Sequence, residues 1–135
     1  MSRPLFMLDT NICIYIQRQK PAHVLERFQK LKYGEAVISL ITWGELLYGA
    51  AKSQQREKTL AALEDFSLLI PVLPMSSGCG KAYGEIRAGL EGDGLPIGNN
   101  DLWIAAHAIS VGVTLVTHNT REFARVRGLK VEDWA

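Results

Sequence analysis

Strands alternating with helices along the chain predict an α/β fold, a mostly parallel central sheet of four or five strands with helices on both faces. Two observations carry that prediction. Apolar runs of strand length recur at residues 5–8, 36–40, 68–73 and 113–117, with amphipathic or apolar stretches of helix length between them. Residues that cap or break helices stand at the joints, among them Asp9, Pro21, Gly92-Asp93-Gly94 and Gly112.

Each element has its own signal. Leu5-Phe6-Met7-Leu8 reads as a buried strand, closed by Asp9-Thr10-Asn11, which can cap a helix reaching about Gln19. Pro21 opens a second helix to about Lys32. Ala36-Val37-Ile38-Ser39-Leu40 is the second strand. Thr42 then starts a helix carrying Leu46, Leu47 and Ala50, and polar Ser53-Gln54-Gln55 separates it from one ending near Phe66. Leu68-Leu69-Ile70-Pro71-Val72-Leu73 is the third strand, with Pro71 marking an edge or an irregularity. A helix from about Ser77 to Leu90 ends in a turn. The apolar helix from Asn100 stops at Gly112, a residue suited to the left-handed cap. Val113-Thr114-Leu115-Val116-Thr117 is the fourth strand, and a short last one is expected at 129–131. No repeat, low-complexity tract or linker interrupts the pattern, so residues 1–135 are read as a single domain.

Composition narrows the class. Of 135 residues, 47% are hydrophobic and 21% charged, enough for a sizeable core. Fifteen Lys+Arg against fourteen Asp+Glu leave a net charge of +1. That excludes the strongly basic proteins that coat nucleic acid through phosphate neutralisation, so any RNA or DNA contact needs a local patch. Cys13 and Cys79 form neither a CxxC pair nor a disulfide framework and read as small apolar residues. No apolar run approaches the ~18 residues of a membrane span. Asp9 cuts the first run short and no small-residue cleavage site follows, so the expected location is cytoplasmic.

Four carboxylates stand where strands meet helices: Asp9, Glu45, Asp101 and Glu122. In an open parallel sheet, groups at the carboxyl ends of strands converge on one edge. Acids gathered there repel one another unless a cation lies between them. Oxygen ligands without His or Cys select a hard ion, Mg²⁺ or Mn²⁺, which can lower the pKa of a bound water and polarise a phosphodiester. Taken singly, each acid also has a purely structural reading. Asp9 can cap the first helix; Thr42-Trp43-Gly44-Glu45 and Asn119-Thr120-Arg121-Glu122 have the pattern of capping boxes; Asp101 suits a first helical turn. Only their joint placement favours a metal.

Four segments and the closing residues carry a resemblance. Met7-Leu8-Asp9-Thr10-Asn11, Ser39-Leu40-Ile41-Thr42-Trp43-Gly44-Glu45-Leu46-Leu47-Tyr48-Gly49-Ala50 and Ile97-Gly98-Asn99-Asn100-Asp101-Leu102-Trp103-Ile104-Ala105-Ala106-His107-Ala108 are similar to the signatures of PIN-domain nucleases. With Leu115-Val116-Thr117-His118-Asn119-Thr120-Arg121-Glu122-Phe123 and the closing Gly128-Leu129-Lys130-Val131-Glu132-Asp133-Trp134, the chain resembles the VapC toxins of type II toxin–antitoxin pairs. The resemblance implies a Mg²⁺-dependent endoribonuclease, with Mn²⁺ a substitute, that is usually a homodimer and is held inactive by a VapB antitoxin. It implies cleavage of initiator tRNA in the anticodon loop, and operator DNA bound only through the antitoxin complex. Asp9 and Asp101 match the principal metal-binding aspartates, and Glu45 and Glu122 the supporting acids. Thr10, Asn11, Thr117 and Asn119 are candidates to orient those ligands. Many PIN domains carry an aspartate where this chain has Asn119, which leaves Glu122 to supply the fourth charge. Arg121, Arg125 and His118 are candidate RNA contacts, from a basic group that also includes Arg127 and Lys130.

Other motifs fail. Gly78-Cys79-Gly80-Lys81 lacks the leading glycine of a phosphate loop, where Met75 stands, and has Ala82 after the lysine. There is no GxSxG elbow. A receiver would need an aspartate in Leu73-Pro74-Met75-Ser76, and the DxDx[TV] phosphatase pattern breaks at Asn11. His107, among alanines, reads as a packed residue; Trp43 and Trp103 lie near the acids, where they suit either packing or base stacking. The alternative of a different class is a catalytically silent PIN-like module that binds RNA or protein, which the presence of all four acids disfavours.

Overall fold

Five short strands, β1 (Phe6–Leu8), β2 (Ala36–Ser39), β3 (Val72–Leu73), β4 (Thr114–Val116) and β5 (Val131–Glu132), form a sheet in the order β3-β2-β1-β4-β5. The coordinates are a computed structural model that describes residues 2–135. Every pairing in this sheet is parallel, with Met7 opposite Val37 on one side and Leu115 on the other. Seven helices connect the strands: α1 (Thr10–Arg18), α2 (Ala22–Gln29), α3 (Leu40–Ala51), α4 (Arg56–Leu69), α5 (Ser77–Gly92), α6 (Asn99–Val111) and α7 (Thr120–Phe123).

Strand periodicity divides the core. Neighbouring strand residues point to opposite faces, so Leu8, Ile38 and Val116 join α1, α2, α3 and α4 in one cluster. Met7, Val37 and Leu115 join α5 and α6 in the other, with Phe123 and Val126. Helices therefore cover both faces, as expected. The chain fills the sheet outward from β1 to β3 and then returns to β4 on the other flank of β1. That reversal falls between β1 and β4, and the carboxyl ends of strands at such a reversal are the usual place for a site in open parallel sheets. Among the described residues no helix is long and apolar enough to cross a membrane.

Four boundaries differ from the sequence reading. The expected third strand at 68–73 shrinks to Val72–Leu73 because α4 continues to Leu69. Leu63, Phe66 and Ile70 keep helical spacing and are buried, whereas Leu68 and Leu69 are exposed. Pro71 then forces Ile70 out of the helical region, to φ −132° and ψ 110°. Second, α3 starts at Leu40 rather than Thr42: Ser39 caps it, its Oγ accepting the Ile41 N–H at 3.1 Å. Thr42 is a buried residue inside the helix, so the capping box read from 42–45 does not form. Third, α2 stops at Gln29, short of Lys32. Finally, the last strand lies at Val131–Glu132, two residues beyond the start expected for it.

The short α7 is held by packing rather than by its own length, since four residues cannot sustain a helix in water. Phe123 is fully buried beneath it. Phe123→Ala should cost about 3 kcal/mol of stability in chemical denaturation. It should also lower any activity that needs Glu122, one residue before it, at temperatures where the variant is still folded.

Candidate active site

Asp9 leaves β1 with its backbone N–H on the Val116 carbonyl at 2.8 Å, so its position is tied to β4 from the outset. It then caps α1. Oδ1 accepts the Thr10 N–H at 2.8 Å, and Oδ2 accepts the Thr117 hydroxyl at 2.8 Å. The carboxyl is 6% exposed. Burial raises its pKa above 3.8; the bonds from Thr117 and Thr10 work against that, and the charge of Glu45 adds to it. The capping role read from the sequence is real, and together with the Thr117 bond it leaves each oxygen with one accepted hydrogen bond.

Glu45 reaches the same place from α3. Its Oε1 accepts the Thr10 hydroxyl at 2.6 Å, and its Oε2 the Asn100 side-chain amide at 3.5 Å. Thr10 thus joins Asp9 to Glu45, with its amide on one acid and its hydroxyl on the other. Thr117 does the equivalent on the far side. Its hydroxyl donates to Asp9 and accepts the Asn119 N–H at 3.0 Å, which shapes the turn into α7 and Glu122.

Asp101 lies in the first turn of α6, half-buried, and its pKa is pushed from 3.8 to about 6. Burial is the largest cause. The charges of Asp9, Glu122 and Glu45 follow, and the neighbouring Glu122 side chain adds a smaller contribution. Asp101 therefore lies near enough to each of the other three acids to feel its charge. An all-oxygen set with surplus negative charge fits a hard divalent cation. Among the described residues no group of three or more His, Cys, Asp or Glu side chains is placed to hold a metal ion.

A PIN-domain family model matches residues 6–129. The tRNA(fMet)-specific endonuclease VapC of Shigella flexneri is 51% identical over 130 residues, spanning 96% of this chain and 98% of its own. The chain belongs to the VapC branch of the PIN-domain family. Two solved VapC complexes share its shape. DNA-bound VapBC from Salmonella typhimurium matches with a TM-score of 0.92 at 44% identity, covering 98% of this chain and 99% of that one. VapBC2 from Rickettsia felis, bound to a DNA fragment from its promoter, matches with a TM-score of 0.91 at 41% identity, covering 97% and 99%.

The remaining residues singled out in this VapC chain separate into groups. Asn11 Oδ1 accepts the His118 backbone N–H at 3.3 Å, so it shapes the β4 turn and touches no acid. Asn119 precedes α7 and makes no side-chain capping bond. His118 is exposed at the rim, its Nδ1 3.0 Å from Asp133 and its ring edge-on to Tyr15. Arg125 turns away to the Pro96 carbonyl at 3.0 Å, while Arg121 stays exposed on α7. Trp103 stacks on Tyr83 with centroids 3.9 Å apart, and Trp43 packs against the core beside α3. Sequence reasoning passed over Asn100, which reaches Glu45, and Asp133, which orients His118. Adjacency to Asp101 was a signal for Asn100. Nothing local pointed to Asp133, because β5 brings it beside β4 only in the folded sheet.

Proposed function

We propose that the chain is the toxin of a type II toxin–antitoxin pair, an endoribonuclease that hydrolyses RNA with Mg²⁺ and cuts initiator tRNA in the anticodon loop. The observation that carries this reading is the convergence of Asp9, Glu45, Asp101 and Glu122, registered in the raised Asp101 carboxyl. Divalent-metal dependence is general among PIN-domain ribonucleases; Mg²⁺ is the proposed ion and Mn²⁺ its substitute. The target follows the name of the Shigella relative. Asp9 and Asp101 hold the ion, directly or through water, and Glu45 and Glu122 orient its hydration shell. When bound, Mg²⁺ supplies charge for the phosphorane-like transition state and an acidified water. Glu45, or Glu122 beside Asp101, would be the group to accept a proton from an attacking water. Thr10 and Thr117 keep Asp9 and Glu45 aimed while this happens.

The partner is a VapB-type antitoxin, as in the Salmonella and Rickettsia complexes, and operator DNA is met through that complex. A groove of about 370 Å³ between α1, α3 and α4, floored by Ile14, Leu46 and Leu63, opens beside Thr10 and Glu45. It is the proposed seat of an antitoxin segment. The protein acts in the cytoplasm as a homodimer and a single PIN domain over residues 1–135.

The test is cleavage of purified tRNAs by antitoxin-free protein, with Mg²⁺ and with EDTA. A single cut in initiator tRNA that disappears in EDTA is expected. Cleavage of other RNAs only would overturn the target. A folded protein that neither binds metal nor cuts RNA would instead be the silent binding module.

A further inference from the structure

His107 is a buried imidazole that the chemistry above does not use. It sits on α6, 1% exposed, with Nδ1 2.8 Å from Oγ of the fully buried Ser39. Ser39 is the last residue of β2 and the cap of α3, its Oγ already accepting the Ile41 N–H. The Ser39 hydroxyl can donate to Nδ1 or accept from it, and either neutral tautomer keeps the bond. Burial lowers the His107 pKa, which favours the neutral ring. Nε2 itself makes no hydrogen bond. A leucine would fill the same space without leaving a buried nitrogen unpartnered, so an imidazole is a net cost here unless the Ser39 bond matters.

The place of that bond suggests what it does. Asn100 on α6 touches Glu45 on α3, and His107 on α6 touches Ser39 at the start of α3. These are two polar rungs between the same two helices. The chain advances from 100 to 107 along α6 while it retreats from 45 to 39 along α3, so the helices run in opposite senses. At 1.5 Å per residue the rungs are about 10 Å apart on α6 and about 9 Å apart on α3. The spacings match, and one register satisfies both. Asp101 is the neighbour of the upper rung on α6, and Glu45 is that rung's other end.

We propose that His107 is a positioning residue: through Ser39 it sets the register of α3 against α6 and so holds Glu45 beside Asp101 for metal binding. The proposal rests on the metal-nuclease reading above. It is tested by Mn²⁺ binding to the antitoxin-free protein, followed by electron paramagnetic resonance of the free ion, with circular dichroism as the check on folding. His107→Leu should weaken Mn²⁺ binding about 10- to 100-fold, the usual effect of losing a group that orients ligands. His107→Asn, whose amide oxygen stands near the Nδ1 position, should largely restore it. Because His107 acts through Ser39, the Ser39→Ala/His107→Leu double variant should bind no more weakly than Ser39→Ala alone. Wild-type affinity in a folded His107→Leu protein, or additive losses in the double variant, would overturn the proposal. Should His107→Leu fail to fold, His107→Gln decides, since its amide reaches past Nδ1; binding equal to that of His107→Asn would overturn it. Wild-type protein that binds no Mn²⁺ would remove the metal reading itself, a result distinct from any of these.

Discussion

Asp101→Asn should abolish RNA cleavage and at the same time make the metal-free protein more stable. The loss of activity is expected to be at least about a thousandfold, because the substitution removes one of the two carboxylates proposed to hold the metal from a set that has few to spare. The gain in stability follows from the same crowding. Asp101 carries a charge that burial and three other carboxylates disfavour, which is why its carboxyl is held at about 6 rather than 3.8. An amide of equal shape removes that penalty. Unscreened, the shift would represent roughly 3 kcal/mol, and for a half-buried group about 1–2 kcal/mol is expected at pH 7.5. Thermal unfolding in EDTA beside a tRNA cleavage assay measures both. Asp9→Asn should be equally inactive without the gain, since both Asp9 oxygens accept hydrogen bonds and an amide can accept at only one of them. An Asp101→Asn protein that is inactive because it is unfolded would contradict this account.

Protons should compete with the metal from about pH 6 downward. The Asp101 carboxyl has to lose its proton to bind an ion, and in the metal-free protein it does so only near 6. Below that value, apparent Mg²⁺ affinity should fall about tenfold per pH unit while one proton is displaced per ion. An ordinary exposed carboxylate would show no such fall until about pH 4. Stability of the metal-free protein should move the other way. Between 3.8 and about 6 the native state holds a proton that the unfolded chain has released, so stability decreases as pH rises through that window. Saturating Mg²⁺ should abolish the decrease, because the ion offsets the repulsion. Isothermal titration at pH 5, 6 and 7 provides the affinities, and urea unfolding with and without metal provides the stabilities. A flat affinity across that range would mean that Asp101 is not a ligand.

Much of this was legible in the chain because its signals are local. Apolar runs closed by capping residues mark most of the strand-to-helix joints, and the four acids sit at those joints because strand ends and first helical turns lie close in sequence. Alternation of Met7 with Leu8 and of Val37 with Ile38 already requires two covered faces. The third strand was misjudged because Leu68 and Leu69 are as apolar as any strand residue, and only the packing of Leu63, Phe66 and Ile70 decides that the helix continues. The start of α3 was misjudged for a related reason. Ser39 and Thr42 are both chemically able to cap, and the position of β2 selects Ser39.

By itself the sequence determined the element types, the acids and the family, all properties of residues near one another along the chain. Tertiary structure decided which groups meet. Thr10 bridging Asp9 and Glu45, Thr117 serving Asp9 from 108 residues away, and Ser39 holding His107 are contacts between separate elements. So is the raised Asp101 carboxyl, since its pKa depends on burial and on charges that are distant in the chain and close in space.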